Sequence, residues 1–242
     1  MNDYVGVDGC KAGWFAIGLD AAGDWRFSVH HDFAAVWDSY QEAGIILVDM
    51  PIGLVDAGPD GRQCDTLARR LLGPGRASSV FTPPARPVLA APDYQAALAL
   101  NRKLTGRGIS IQSWNIASKI RQVDRFMRDN KEAQGKVREI HPELVFWALN
   151  GRQAMIQRKN RLIGYEERLA VLQKHFAPAE TVVQEALASY RRSEVARDDI
   201  LDALAAAVTG YLSQGQLQTI PDPTPNDAFG LAMEMVYYEP EP

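Results

Sequence analysis

Sulfur and histidine are scarce in this sequence: its 242 residues include two cysteines, Cys10 and Cys64, and four histidines. These are too few for a disulfide framework, and no spacing among them makes a zinc site. Cys10 has no histidine in a recognisable relation to it and sits in a glycine turn, so it is not a candidate nucleophile. No apolar run approaches the ~18 residues needed to cross a bilayer, which excludes a helical membrane span. The opening MNDYVGVDG enters a strand pattern without a basic-then-apolar leader. The expectation is therefore a cytoplasmic protein with reduced thiols. A loop of the GxxxxGK(S/T) type is absent, which removes the P-loop NTPases. Internal repeats and low-complexity tracts are absent as well.

What is present is the composition of an ordinary globular chain, 46% hydrophobic and 23% charged. The length suits a single domain over 1–242 carrying a basic insertion at about 53–135. The net charge of −4 conceals segregation: residues 1–61 balance to −8, residues 62–174 to +12 and residues 175–242 to −8. An electropositive lobe beside an electronegative one would give this pattern, and so would ordinary solvated helix faces.

Short apolar runs at 4–8, 14–19 and 25–30, joined by tight turns, predict three strands in an antiparallel meander. A helix over 32–43 follows, with Asp32 as its N-cap, and then a wholly apolar strand at 45–49. Helical patterns recur at 65–72, 93–104, 113–134 and 165–176. A short strand begins VREIHPE (137–143), the closing helix is 198–212, and 231–238 reads as a terminal strand or edge cover. The order predicts an α/β fold of the ribonuclease H-like kind: an antiparallel meander plus parallel strands, flanked by helices, with a large helical and loop insertion. A dinucleotide-binding fold needs a helix directly after the first strand, and VDGCKAGWFAIGLD leaves no room for one.

Asp8 ends the first strand and Asp49 the central one. Neighbouring parallel strands would bring both carboxylates to one edge, where a cation between them relieves their repulsion. Asp199 and Asp202 lie three apart on the last helix and share a face. Asp202 stands in apolar surroundings where an unpaired carboxylate is costly. Asp198 and Asp199 also fall in the first turn, where acids favour the helix dipole. In the IHPE turn, Glu143 is either a further ligand or a helix cap, and His141 a phosphate contact or proton shuttle.

The strings VGVDGCKAGW, VDMPIGL, CDTLARRLLGPGRASSVFTPPAR, GISIQSWNIASKI, REIHPELVFWALNG and DDILDALAAA, with the closing MEMVYY, together resemble the domain of unknown function 429 family. That family is described as predicted nucleases of the ribonuclease H fold. The DxxDALAAA helix is also similar to the last helix of RuvC-type junction resolvases. The resemblance implies that Asp8, Asp49, Asp199 and Asp202 are catalytic metal ligands for Mg²⁺ or Mn²⁺, as two ions. It implies a nucleic-acid substrate, and by analogy with resolvases a homodimer. Nothing in 32–43 supplies the extra glutamate of ribonuclease H itself, since Glu42 sits at the wrong end.

A two-ion carboxylate site would hydrolyse phosphodiester bonds, helped by basic groups around it. Arg62, Arg69, Arg70, Arg76 and Arg86 follow the Asp49 strand and are candidate substrate-binding groups, together with Gln112 and Asn115. Lys11 and Lys119 are further candidates for phosphate contact. Trp114 could stack a base or belong to the core. The rival readings are phosphoryl transfer or hydrolysis on a small phosphate ester, and a non-catalytic nucleic-acid or protein-binding module.

Overall fold

The computed structural model describes residues 3–159 and 161–240. Strands β1 (Tyr4–Cys10), β2 (Gly13–Leu19) and β3 (Trp25–His30) are joined by turns too short for a crossover, and they pair as an antiparallel meander. Asp32 then caps α1 (Phe33–Tyr40) by accepting the Ala35 N–H at 2.9 Å. The chain returns as β4 (Ile45–Val48), parallel to β1, and later as β5 (Val137–Glu139), parallel to β4. The sheet order β3-β2-β1-β4-β5 is the ribonuclease H-like arrangement expected from the sequence.

Between β4 and β5 lie α2 (Gln63–Arg76), α3 (Tyr94–Thr105), α4 (Ile111–Asn115) and α5 (Ala117–Asp129). The single helix expected over 113–134 is two helices. Ser110 caps α4 with its hydroxyl on the Ser113 N–H, and Ile116 leaves helical geometry at φ −102°, ψ 1°. The break turns Trp114 toward Tyr94 and lets Ile120, Val123 and Met127 of α5 face the sheet. There they meet Val5, Val7, Trp14, Ile46 and Val48, together with Phe33 and Val36 of α1. The basic stretch is thus no appended lobe, because its last helix completes one face of the core.

The other face is covered by α6 (Pro142–Leu149), α7 (Leu162–His175), α8 (Ala179–Ser189) and α9 (Arg197–Ser213), packed on Phe15, Ile17, Leu19, Ile45 and Leu47. Strands β6 (Gln218–Ile220) and β7 (Met235–Tyr237) pair antiparallel, and Val236 bridges Ile140 just past β5. The segment 231–238 therefore does carry a strand. No helix among the described residues is long and apolar enough to cross a membrane.

Helix α9 lies directly on β1. A Cβ at Gly6 would fall onto the Ala203 carbonyl oxygen and the Ala207 nitrogen, and 2.9 Å from the Ala206 Cβ. Glycine on the strand and alanines on the helix let the two backbones touch. This contact sets how near the helix brings its polar residues to the end of β1.

Candidate metal centre and its cleft

Strand alternation decides which side chains meet α9. Val5 and Val7 point to the α1/α5 face, so Gly6 and Asp8 point to the α9 face. Val7 pairs with Val48, and the Asp49 N–H donates to the Val7 carbonyl at 2.9 Å, which puts Asp49 beside Asp8. Asp202 precedes Ala203, the residue that sits on Gly6. One oxygen from each of Asp8, Asp49 and Asp202 lies within 4.8 Å of the others.

These carboxylates are poorly served by the protein. Asp8 is 9% exposed and Asp202 1%. Asp8 Oδ1 accepts the Gly9 N–H at 2.6 Å, and Asp202 Oδ2 accepts Lys159 Nζ at 2.6 Å. Asp202 Oδ1 has no hydrogen-bond partner among the described residues. Burial, then the charges of Asp49 and Asp202, hold the Asp8 carboxyl well above the usual range. Burial, then Asp202, pushes Asp49 up to about 8. Asp202 is raised by burial against the pull of Lys159, whose own ammonium is held on chiefly by Asp202. A crowded, all-oxygen trio whose carboxyls are all raised above their ordinary range is what a hard divalent cation would resolve, and magnesium or manganese suits it.

Over residues 6–226 the chain matches the family model described as Protein of unknown function (DUF429). The chain belongs to that family. No curated protein and no solved structure matches it. The stretch matched by this family contains all three acids and the whole sheet from Gly6 onward, and it ends before β7.

Asp199, expected beside Asp202, is not in the cluster. Its Oδ2 accepts the Ala196 N–H at 2.8 Å at the start of α9, and burial raises it to about 6. Glu143 is tied to Arg168 through Oε1, and its Oε2 lies 3.8 Å from Arg76 Nε. Burial lowers the His141 ring below its ordinary value, with Nε2 3.4 Å from the Ser79 carbonyl and Nδ1 unpartnered among the described residues.

The five arginines expected to grip substrate are mostly engaged internally. Arg62 is 2% exposed and forks onto Glu139 at 2.6 and 2.7 Å and onto Asp65 at 2.6 Å. Arg86 is buried between Asp56, Asp124 and Asp227. Arg69 donates to the Val80 carbonyl and to Thr82, and Arg76 to the Met155 carbonyl. Arg70 alone of the five is exposed. Arg62 and Arg86 are structural groups, because their charges neutralise acids buried with them.

A cleft of about 590 Å³ opens over Asp8 and Asp49. Arg76, Gln112, Lys119, His141 and Glu143 line it, as expected of residues near the site, whereas Lys11 and Asn115 are exposed outside it. Lys119 donates to the Gly13 carbonyl and lies 4.9 Å from the Trp14 ring centroid. Trp114 packs with the α3 cluster and is core. Arg158, Lys159 and Phe81 also line the cleft and have no advance signal in the sequence. Lys159 is 43 residues from Asp202 in an irregular segment, where no periodicity marks it.

Proposed function

We propose that this protein is a divalent-metal-dependent hydrolase of phosphodiester bonds in nucleic acid. The observation that carries this reading is the convergence of Asp8, Asp49 and Asp202 from two strands and a helix, with Asp202 Oδ1 buried and unpartnered. Buried carboxylate oxygens usually find a donor. Asp65 Oδ2 and Glu143 Oε2 also lack one among the described residues, but each of those acids is held by an arginine, whereas Asp202 converges with two further carboxylates. Magnesium or manganese held by these three would supply Lewis-acid polarisation and charge neutralisation at a phosphoryl group. The trio accounts for one ion. A second would need further donors, and both Asp199 and Glu143 already face protein partners.

The remaining charges suit a phosphate ester. Lys119, Arg158 and Lys159 line the cleft with the acids, where they would draw in a phosphate and offset the charge gained during hydrolysis. Lys159 shields Asp202 until a cation does so. His141 also lines the cleft, where its ring would accept a proton and become an imidazolium beside the acids.

The test is cleavage of labelled single- and double-stranded DNA, RNA, hybrid and four-way junction in Mg²⁺ and Mn²⁺, with Asp8→Asn in parallel. Metal-dependent cutting that the variant lacks is the expected result. Failure of the wild type to cut any of them would overturn the reading.

A further inference from the structure

The cleft has a feature that the acids alone do not require: a recessed approach. Phe81, Gln112, Lys119, Arg158 and Lys159 line it together with Asp8 and Asp49, and Asp8 is only 9% exposed. A scissile phosphate must therefore enter the cleft to reach these acids. The volume of about 590 Å³ is that of a small-ligand pocket, typically ~300–1,000 Å³, and not of a groove that receives a helix.

We infer that the substrate of this site is a single-stranded segment or strand end, threaded into the cleft, and not the backbone of an intact duplex. This rests on the phosphodiesterase reading above. A duplex is a stiff rod with a persistence length of ~50 nm, and its phosphates cannot leave the rod to enter a recessed pocket. A single strand bends freely and can turn one phosphate inward. The placement of charge agrees. Gripping a duplex takes many basic groups on an open face, yet Arg62, Arg69, Arg76 and Arg86 are bound to protein acceptors. Lys119, Arg158 and Lys159 line the cleft beside Asp8 and Asp49.

Phe81 adds an independent sign. It lines the cleft, is only partly buried and belongs to none of the apolar clusters of the core. A ring kept out of the core in a cleft lined by cations is a stacking platform for an unpaired base, and stacking of this kind tolerates any base. Selection would then be by strandedness and not by sequence.

The experiment measures binding without added metal, by fluorescence anisotropy, and cleavage in Mn²⁺, on one labelled set: a short single strand, a blunt duplex of the same length and a covalently closed duplex circle. The single strand should bind at least tenfold more tightly than the blunt duplex and be cut, while the closed circle stays intact. Phe81→Ala should weaken single-strand binding about tenfold while leaving the Mn²⁺-induced thermal shift unchanged. Equal binding of duplex and single strand, or cutting of the closed circle at a comparable rate, would overturn the inference and leave the hydrolase reading standing. An unchanged single-strand affinity in Phe81→Ala would remove the stacking platform. If no nucleic acid is bound or cut at all, both readings fall together.

Discussion

Replacing Asp49 by asparagine should make the metal-free protein more stable. The carboxyl sits, partly buried, in a trio of like charges, and its folded value of about 8 compares with an ordinary 3.8. At pH 7 that displacement corresponds to a cost on the order of 4 kcal/mol, since each unit is worth about 1.4 kcal/mol. Asparagine keeps a polar group in the same place, so about 3 kcal/mol should be recovered. For a chain of this size, 1 kcal/mol moves Tm by ~2–4 °C, which gives a rise of about 6–12 °C.

The pH dependence has a definite sign. The folded value is raised, so the contribution of Asp49 to stability is fully present below about pH 4 and is lost as pH rises through about 8. Wild-type Tm in EDTA should fall across that window, and the fall should be shallower in Asp49→Asn. Added Mg²⁺ should reverse the trend in the wild type, because ligand carboxylates must be deprotonated to bind, and should do little for the variant. Calorimetry at pH 5, 7 and 8.5, with EDTA and with Mg²⁺, covers all of this. A variant whose metal-free Tm at pH 7 equals or falls below that of the wild type would refute the claim that this carboxylate is held here at a cost.

Three further substitutions probe what surrounds the trio. Gly6→Ala forces α9 away from β1, so it should cost about 3 kcal/mol and abolish the Mg²⁺-induced thermal shift even where the fold survives. Arg62→Ala strands Glu139 and Asp65 in the interior and should lower stability by ~3–5 kcal/mol in chemical denaturation; wild-type stability would argue against a structural Arg62. Lys159→Met removes the ammonium from Asp202, and titration calorimetry should find Mn²⁺ bound about tenfold more tightly, with weaker binding counting against a resident countercharge.

The parts of the fold legible in the sequence are those where local pattern and tertiary role coincide. The YVGVD, WFAIGL and IILVD runs are strands because they are buried, and their short turns dictate the antiparallel meander. The extent of α6 is not legible because it is buried on every side, so PELVFWAL shows no polar face to set a period, and the helix cap offered for Glu143 is its only mark. α8 was hidden differently: its stripe, Val182, Val183 and Ala186, is short and follows closely on α7. Asp8, Asp49 and Asp202 could be found because an acid at the end of an apolar strand, or within an apolar helix, conflicts with its surroundings.

The same reasoning fails for the cations. An arginine within a basic stretch reads as a surface group whether it faces solvent or an acid far away in sequence, and only the fold shows that Arg62 closes on Glu139 across 77 residues. Glu139 is the residue on the next strand that pairs with Val48, immediately before Asp49. The interior therefore treats two neighbouring acids in opposite ways. Glu139 receives a forked guanidinium and the Ile52 N–H at 2.7 Å, whereas Asp49 receives no donor among the described side chains. A chain with arginines so near could have neutralised Asp49 as it did Glu139. That it supplies only the half-exposed ammonium of Lys159, placed on Asp202, is the strongest physical argument that the trio is kept for a cation from outside.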